Sequence, residues 1–161
     1  MKAVIFAGGV GTRLWPLSRK NSPKQFEKVI DDKSTLQLTI DILQPEIKTE
    51  DIYIATGIEY VDLVRAQLNT IPPQNILGEP HRKDVGPAVA LVMGILAKKF
   101  PNEPVVVLWS DHWIRKVDKF KKILTSTDLY LTKNPERMIF FWPHSPICIR
   151  KFRLDSHQRN S

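Results

Sequence analysis

The stretch Lys2-Ala3-Val4-Ile5-Phe6-Ala7-Gly8-Gly9-Val10-Gly11-Thr12-Arg13 decides the fold. Ala3 to Ala7 is a continuous apolar run bounded by turn signals, the pattern of a strand buried on both faces. It runs directly into three glycines within four residues, where the backbone can turn sharply and bring several N–H groups close to an anionic ligand. The plain alternative for such a loop is a tight turn with cations on its surface.

Working outward, apolar β-branched runs alternate with segments of helical period. Further strands are predicted at Ile52–Thr56, Gln74–Gly78, Val105–Leu108 and Met138–Phe141. Between them Leu36, Ile40 and Leu43 recur at helical spacing, as do Val61, Val64 and Leu68, then Val89, Val92 and Leu96, and then Val117, Phe120 and Leu124. Such alternation predicts an α/β fold: a doubly wound, mainly parallel, Rossmann-like sheet, truncated after about five strands, with right-handed crossovers.

In open sheets of this class ligands bind beyond the carboxyl ends of the strands. Three polar segments follow predicted strands there: Gly8 to Arg13, Glu79-Pro80-His81-Arg82-Lys83-Asp84, and Ser110-Asp111-His112. The glycine loop fits neither standard phosphate motif. The dinucleotide fingerprint needs glycine where Leu14 stands, and a P-loop needs a Gly-Lys-Ser/Thr triplet that is missing. Instead Arg13 offers a planar guanidinium that grips phosphate bidentately, and Lys24 a point charge further on.

Composition narrows the class. The chain has 161 residues, 42% hydrophobic and 25% charged, enough for one domain with a real core and unlike a disordered or fibrous chain. Its longest apolar stretch, Val85 to Ala97, is 13 residues and carries Gly86, Pro87 and Gly94, well short of the roughly 20 needed to cross a bilayer. No secretory pattern opens the sequence, so the expected location is cytoplasmic, with no membrane partner. One cysteine, Cys148, has no partner in sequence, and His81, His112, His144 and His157 lack metal-ligand spacing. The net charge is +7, and no aromatic-interleaved nucleic-acid motif accompanies the basic clusters, so nucleic acid is not an expected partner.

Phe6-Ala7-Gly8-Gly9-Val10-Gly11-Thr12-Arg13-Leu14-Trp15-Pro16-Leu17-Ser18-Arg19, continued by Pro23-Lys24-Gln25-Phe26, closely resembles the signature of nucleotide-sugar pyrophosphorylases. The Leu-Trp-Pro-Leu-Ser-Arg run is similar to that of the mannose-1-phosphate guanylyltransferases among them. Glu79-Pro80 with Asp84, Gly86, Pro87, Ala88 and Ala90, and then Ser110-Asp111-His112, agree in order and spacing.

The resemblance implies transfer of GMP from GTP to mannose 1-phosphate, giving GDP-mannose and pyrophosphate, with Mg²⁺ as cofactor. It implies that Gly8, Gly9, Gly11 and Thr12 approach the nucleotide. Arg13 would bind the leaving pyrophosphate and Lys24 would stabilise the α-phosphate, the two catalytic positions. Glu79 would accept hydrogen bonds from guanine, Asp84, Gly86 and Pro87 would line the base site, and Asp111 would hold Mg²⁺. For Glu79, Asp84 and Asp111 the structural alternative is a helix cap. Val85 and Trp109 depart from the family pattern, which leaves base selectivity open. A related sugar-nucleotide pyrophosphorylase, or a non-catalytic nucleotide-binding module, is the alternative function.

Likeness to the family covers residues 1–141, read as the nucleotide-binding half of the domain. The 20 residues that follow carry +3 of the net charge and form an atypical basic tail. The sugar-phosphate half implied by the resemblance is not in the sequence, so the chain is expected to be a truncated form whose activity is in question, with apolar surface that favours a homodimer. A tryptophan codon is TGG and proline codons begin with C, so reading one base later forces glycine after Phe141, as the family has. Residues 142–161 are accordingly read as out of frame, a genuine divergent tail being the alternative.

Overall fold

Alternation along the first strand settles which way each side chain faces. Ala3, Ile5 and Ala7 enter one buried cluster, Val4 and Phe6 another, and all five are at most 7% exposed. A strand buried on both sides needs a covering layer on each. In this computed structural model the described residues are 1–8, 26, 28–30, 32–81, 84–112 and 114–141, the side chains of 28–30 excepted.

The elements run β1 (Lys2–Phe6), β2 (Lys28–Ile30), β3 (Lys33–Ser34), α1 (Thr35–Leu43), β4 (Ile52–Gly57), α2 (Val61–Gln67), β5 (Ile76–Glu79), α3 (Val85–Lys99), β6 (Val105–Trp109) and α4 (Val117–Lys133). Strands β5, β4, β1 and β6 form a four-stranded sheet in that order, parallel at every pairing. β2 and β3 make a separate antiparallel pair. The α/β class and the parallel sheet predicted from periodicity are present, and helices lie on both faces. Leu36, Ile40 and Leu43 of α1, Val64 of α2 and Leu124 of α4 pack on the Ala3–Ile5 side. Val92 and Leu96 of α3 pack on the Val4–Phe6 side with Tyr53 and Ala55.

Local chemistry starts and stops these elements. α1 begins with a capping box: the Gln37 amide donates to Ser34 Oγ at 3.2 Å and the Ser34 amide to Gln37 Oε1 at 2.8 Å. At the opposite edge from the strand ends that matter below, Lys2 Nζ bonds Asp51 at 2.5 Å, lies 3.5 Å from Glu103 and stands over the Phe100 ring at 4.3 Å. Burial pulls the Lys2 ammonium pKa down, but the hydrogen bond and charge of Asp51, with Glu103, outweigh it and leave the value raised.

Two expectations need adjustment. β5 runs Ile76–Glu79, because Pro73–Asn75 folds as a 3₁₀ turn. Met138–Phe141 supplies no fifth strand among the described residues, although Phe141 meets Phe120 of α4 edge-on at 6.4 Å. Phe140 makes a single β-bridge, so the run pairs at one residue without extending into a ladder. No described helix is long and apolar enough to cross a membrane.

Candidate functional site

Because all four strands are parallel, their carboxyl ends lie at one edge of the sheet. β4 and β5 succeed β1 on one side and β6 lies on its other side, so the strand order reverses at β1. In sheets of this class ligands bind in a crevice outside the carboxyl ends of the strands at such a topological switch point, here the ends of β1 and β6. From β5 to β6 the site spans three strand spacings, about 14 Å.

The end of β1 is held firmly. The Ala7 amide donates to the Ala55 carbonyl at 2.8 Å, and the Thr56 hydroxyl donates to the Ala7 carbonyl at 3.0 Å, buried. Gly8 follows. A Cβ placed on it would meet nothing within 4 Å among the described residues, and its φ is not in the left-handed region, so neither the packing of those residues nor backbone conformation requires glycine there. Gly9, Gly11, Thr12, Arg13 and Lys24 lie outside the described residues. The chain beyond them is anchored at Phe26, which is 5% exposed, tilts against the Tyr60 ring at 5.8 Å and accepts a 2.8 Å bond from Gln67 Nε2 at its carbonyl. Thr56 thus holds Ala7 at the end of β1, and Tyr60 and Gln67 hold Phe26. Sequence reasoning passed over them because each sits within an ordinary-looking strand or helix.

On the β6 side, the Ser110 amide donates to the Phe6 carbonyl at 3.1 Å and the His112 amide to the Trp109 carbonyl at 3.2 Å. This turn carries Asp111 just past the strand, exposed, beside the end of β1. Asp111 is not a helix cap, since the N-cap of α4 is Lys116. A cavity of about 540 Å³ adjoins it, bounded by Ser110, Asp111, His112 and Arg115 on one side and Thr35 and Leu38 of α1 on the other. On the opposite face of the sheet Phe6 and Trp109 meet at a tilt, ring centroids 5.1 Å apart.

On the β5 side, Glu79 is the last strand residue, in register with Gly57 and partly buried. It too is no cap. Asp84 does occupy the N-cap position of α3, yet its side chain makes no capping bond, and its backbone stands at φ 81°, ψ 170°. That conformation is essentially reserved for glycine and costs about 1–3 kcal/mol elsewhere. Gly86 and Pro87 form the exposed first turn of α3, and a Cβ on Gly86 would meet nothing within 4 Å. Gly78, by contrast, is structural: a Cβ there would sit 2.9 Å from Val61 Cγ2.

Gly8 and Asp111 each lie two residues past the last register pair, Phe6 and Trp109, at the switch point. Glu79, Asp84, Gly86 and Pro87 group at the β5–α3 end of the same edge. Among the described residues no cluster of three or more His, Cys, Asp or Glu could hold a metal unaided. Asp111 is an exposed carboxylate just past β6. That suits a hard cation completing its shell from phosphate oxygens, as Mg²⁺ does.

Comparison with known proteins matches residues 2–144 to the family described as nucleotidyl transferase. A mannose-1-phosphate guanylyltransferase of Escherichia coli is 39% identical over 127 residues, covering 76% of this chain and 27% of that protein. One from Salmonella muenchen is 37% identical over 134 residues, covering 81% of this chain and 28% of its own. A crystal structure from Thermus thermophilus, described as a mannose-1-phosphate geranyltransferase, superposes with a TM-score of 0.68 at 31% identity, over 78% of this chain and 36% of that one. The chain spans about a quarter of the length of the curated relatives it matches.

Proposed function

The chain belongs to the nucleotidyl transferase family, and we propose that its crevice is the nucleotide-binding half of a site that moves GMP from GTP to mannose 1-phosphate. An oxygen of the sugar phosphate attacks the α-phosphorus of GTP. The new P–O bond forms as the bond to the bridging oxygen breaks, and pyrophosphate leaves with that bonding pair. The acceptor is already ionised, so no strong base is needed, and catalysis reduces to alignment and neutralisation of charge.

One observation carries the reading: Gly8 and Gly86 lack a side chain for no reason internal to the described fold. Each leaves open backbone at one end of the crevice, Gly8 where phosphates would lie over the switch point and Gly86 where a flat base would rest on the first turn of α3. The names of the relatives support guanine and mannose as the base and sugar. In this reading Glu79 accepts hydrogen bonds from the base, Arg13 and Lys24 face the triphosphate, and Asp111 holds Mg²⁺, which supplies charge neutralisation on the phosphates when bound.

Calorimetric titration of GTP with and without Mg²⁺, on the parent chain, Asp111→Asn and Glu79→Ala, tests these assignments. The parent should bind GTP more tightly with Mg²⁺. Asp111→Asn should lose that enhancement, and Glu79→Ala should lose preference for GTP over UTP. Equal Mg²⁺ enhancement in the parent and Asp111→Asn would overturn the metal assignment, and no GTP binding by the parent would overturn the whole reading.

A further inference from the structure

Helix α3 carries no charged residue from Val85 to Ala97. Val92 and Leu96 are buried on the sheet, and Val85 shares the stripe of Val92, but Leu91 and Ile95, one turn apart on the outward side, are 44% and 41% exposed. A helix apolar on all sides is normally enclosed, and large apolar side chains gathered on an exposed face mark an interface. The order of charge along α3 indicates what covers it. Asp84, Leu91 and Lys98 are exposed and spaced seven residues apart, close to two helical turns, so they share one stripe. That stripe is acidic at its start, apolar at its centre and basic at its end, which makes it complementary to itself under a two-fold rotation.

We propose that α3 docks antiparallel on α3 of a second copy of this chain, with Leu91 at the two-fold axis. Each Lys98 then lies opposite the partner's Asp84, about 10 Å along the helix from the axis. Antiparallel packing also sets the positive end of each helix dipole against the negative end of the other. Gly94 fits this arrangement. It is exposed in mid-helix, where glycine costs about 0.5–1 kcal/mol relative to alanine, and a Cβ there would meet nothing within 4 Å. Against a second helix it lets the backbones approach closely. Because Asp84 borders the candidate nucleotide site, the partner's Lys98 brings a cation to the rim of that crevice.

The contact buries on the order of 400 Å² a side, against roughly 800 Å² for a stable interface. The dimer is therefore weak and forms as concentration rises through the micromolar range. Sedimentation equilibrium over that range is the test, with circular dichroism and the thermal midpoint confirming that each variant folds as the parent does. The parent should pass from monomer to dimer. Leu91→Glu, which sets two carboxylates face to face, should weaken association about tenfold or more. Lys98→Glu should weaken it, and Lys98→Glu combined with Asp84→Lys should restore it, because only the antiparallel pairing exchanges those two charges. A parent that stays monomeric, an association indifferent to Leu91→Glu, or a double variant no tighter than Lys98→Glu alone would each overturn the proposal. So would a monomeric parent that instead binds, through Leu91, a separately made C-terminal portion of a relative, since another occupant would then cover the face.

Discussion

Thr56 donates its hydroxyl to the carbonyl of Ala7 at 3.0 Å, and with both residues at most 2% exposed this bond ties the end of β1 to β4 just where the glycine loop departs. Replacing Thr56 with Val keeps the shape but leaves the Ala7 carbonyl without that buried donor. The expected loss is about 1–2 kcal/mol, read as a lower urea midpoint with an unchanged slope. Nucleotide affinity should fall as well, because Gly8 is the next residue.

Asp84 holds a backbone conformation suited to glycine. Asp84→Gly should stabilise the fold by about 1 kcal/mol, the relieved strain being partly offset by the greater freedom of glycine when unfolded. Asp84→Asn keeps the strained backbone and removes only the charge, so its stability should match the parent. Urea unfolding of the two variants separates strain from charge.

Gly78 and Gly86 should respond oppositely to alanine. At Gly78 the new methyl group would meet Val61 Cγ2 at 2.9 Å and the Ile58 Cα at 3.4 Å, and a cost of about 1–3 kcal/mol is expected. At Gly86 it meets no described atom, and alanine in the first turn of α3 should leave stability equal or slightly higher. Gly86→Ala should nevertheless weaken nucleotide binding, which thermal unfolding with and without GTP would show.

Two ion pairs contribute to the pH dependence of stability. The raised Lys2 pKa means that its contribution is complete below the ordinary lysine value near 10.5 and is lost as pH rises through the higher folded value. Glu46 behaves in the opposite sense. The hydrogen bond from Lys121 lowers its pKa, so its contribution is present above about 4.5 and lost as pH falls through the lower folded value. Urea midpoints across pH should show a smaller alkaline decline in Lys2→Met and a smaller acidic decline in Lys121→Met.

Much of this was legible in the sequence because burial leaves a periodic mark. β1, β4 and β6 fall within a residue of their predicted bounds, and the four helices carry their predicted apolar positions except Leu68, which is the C-cap of α2. Met138–Phe141 reads as a full strand but pairs only through a bridge at Phe140, since composition reports apolar character but not how far pairing extends. The site was legible as residue types and not as geometry. Asp84 reads as lining the base site, with a cap as the alternative, and neither reading foresees its backbone, because a positive φ leaves no trace in residue identity. Asp111 carried the same alternative until α4 was found to start six residues later. The anchors Thr56 and Gln67 act through single long-range hydrogen bonds, which no spacing rule encodes.

The most direct test of the central claim is the thermal unfolding midpoint of the 161-residue chain with Mg²⁺ and saturating GTP, ATP, UTP or dTTP in turn. A ligand that binds only the folded state raises the midpoint, by about 2.7 kcal/mol of stability at a hundredfold excess over its dissociation constant. The account predicts a cooperative transition that GTP raises and the other nucleotides leave nearly unmoved. A cooperative transition that no nucleotide shifts would contradict it.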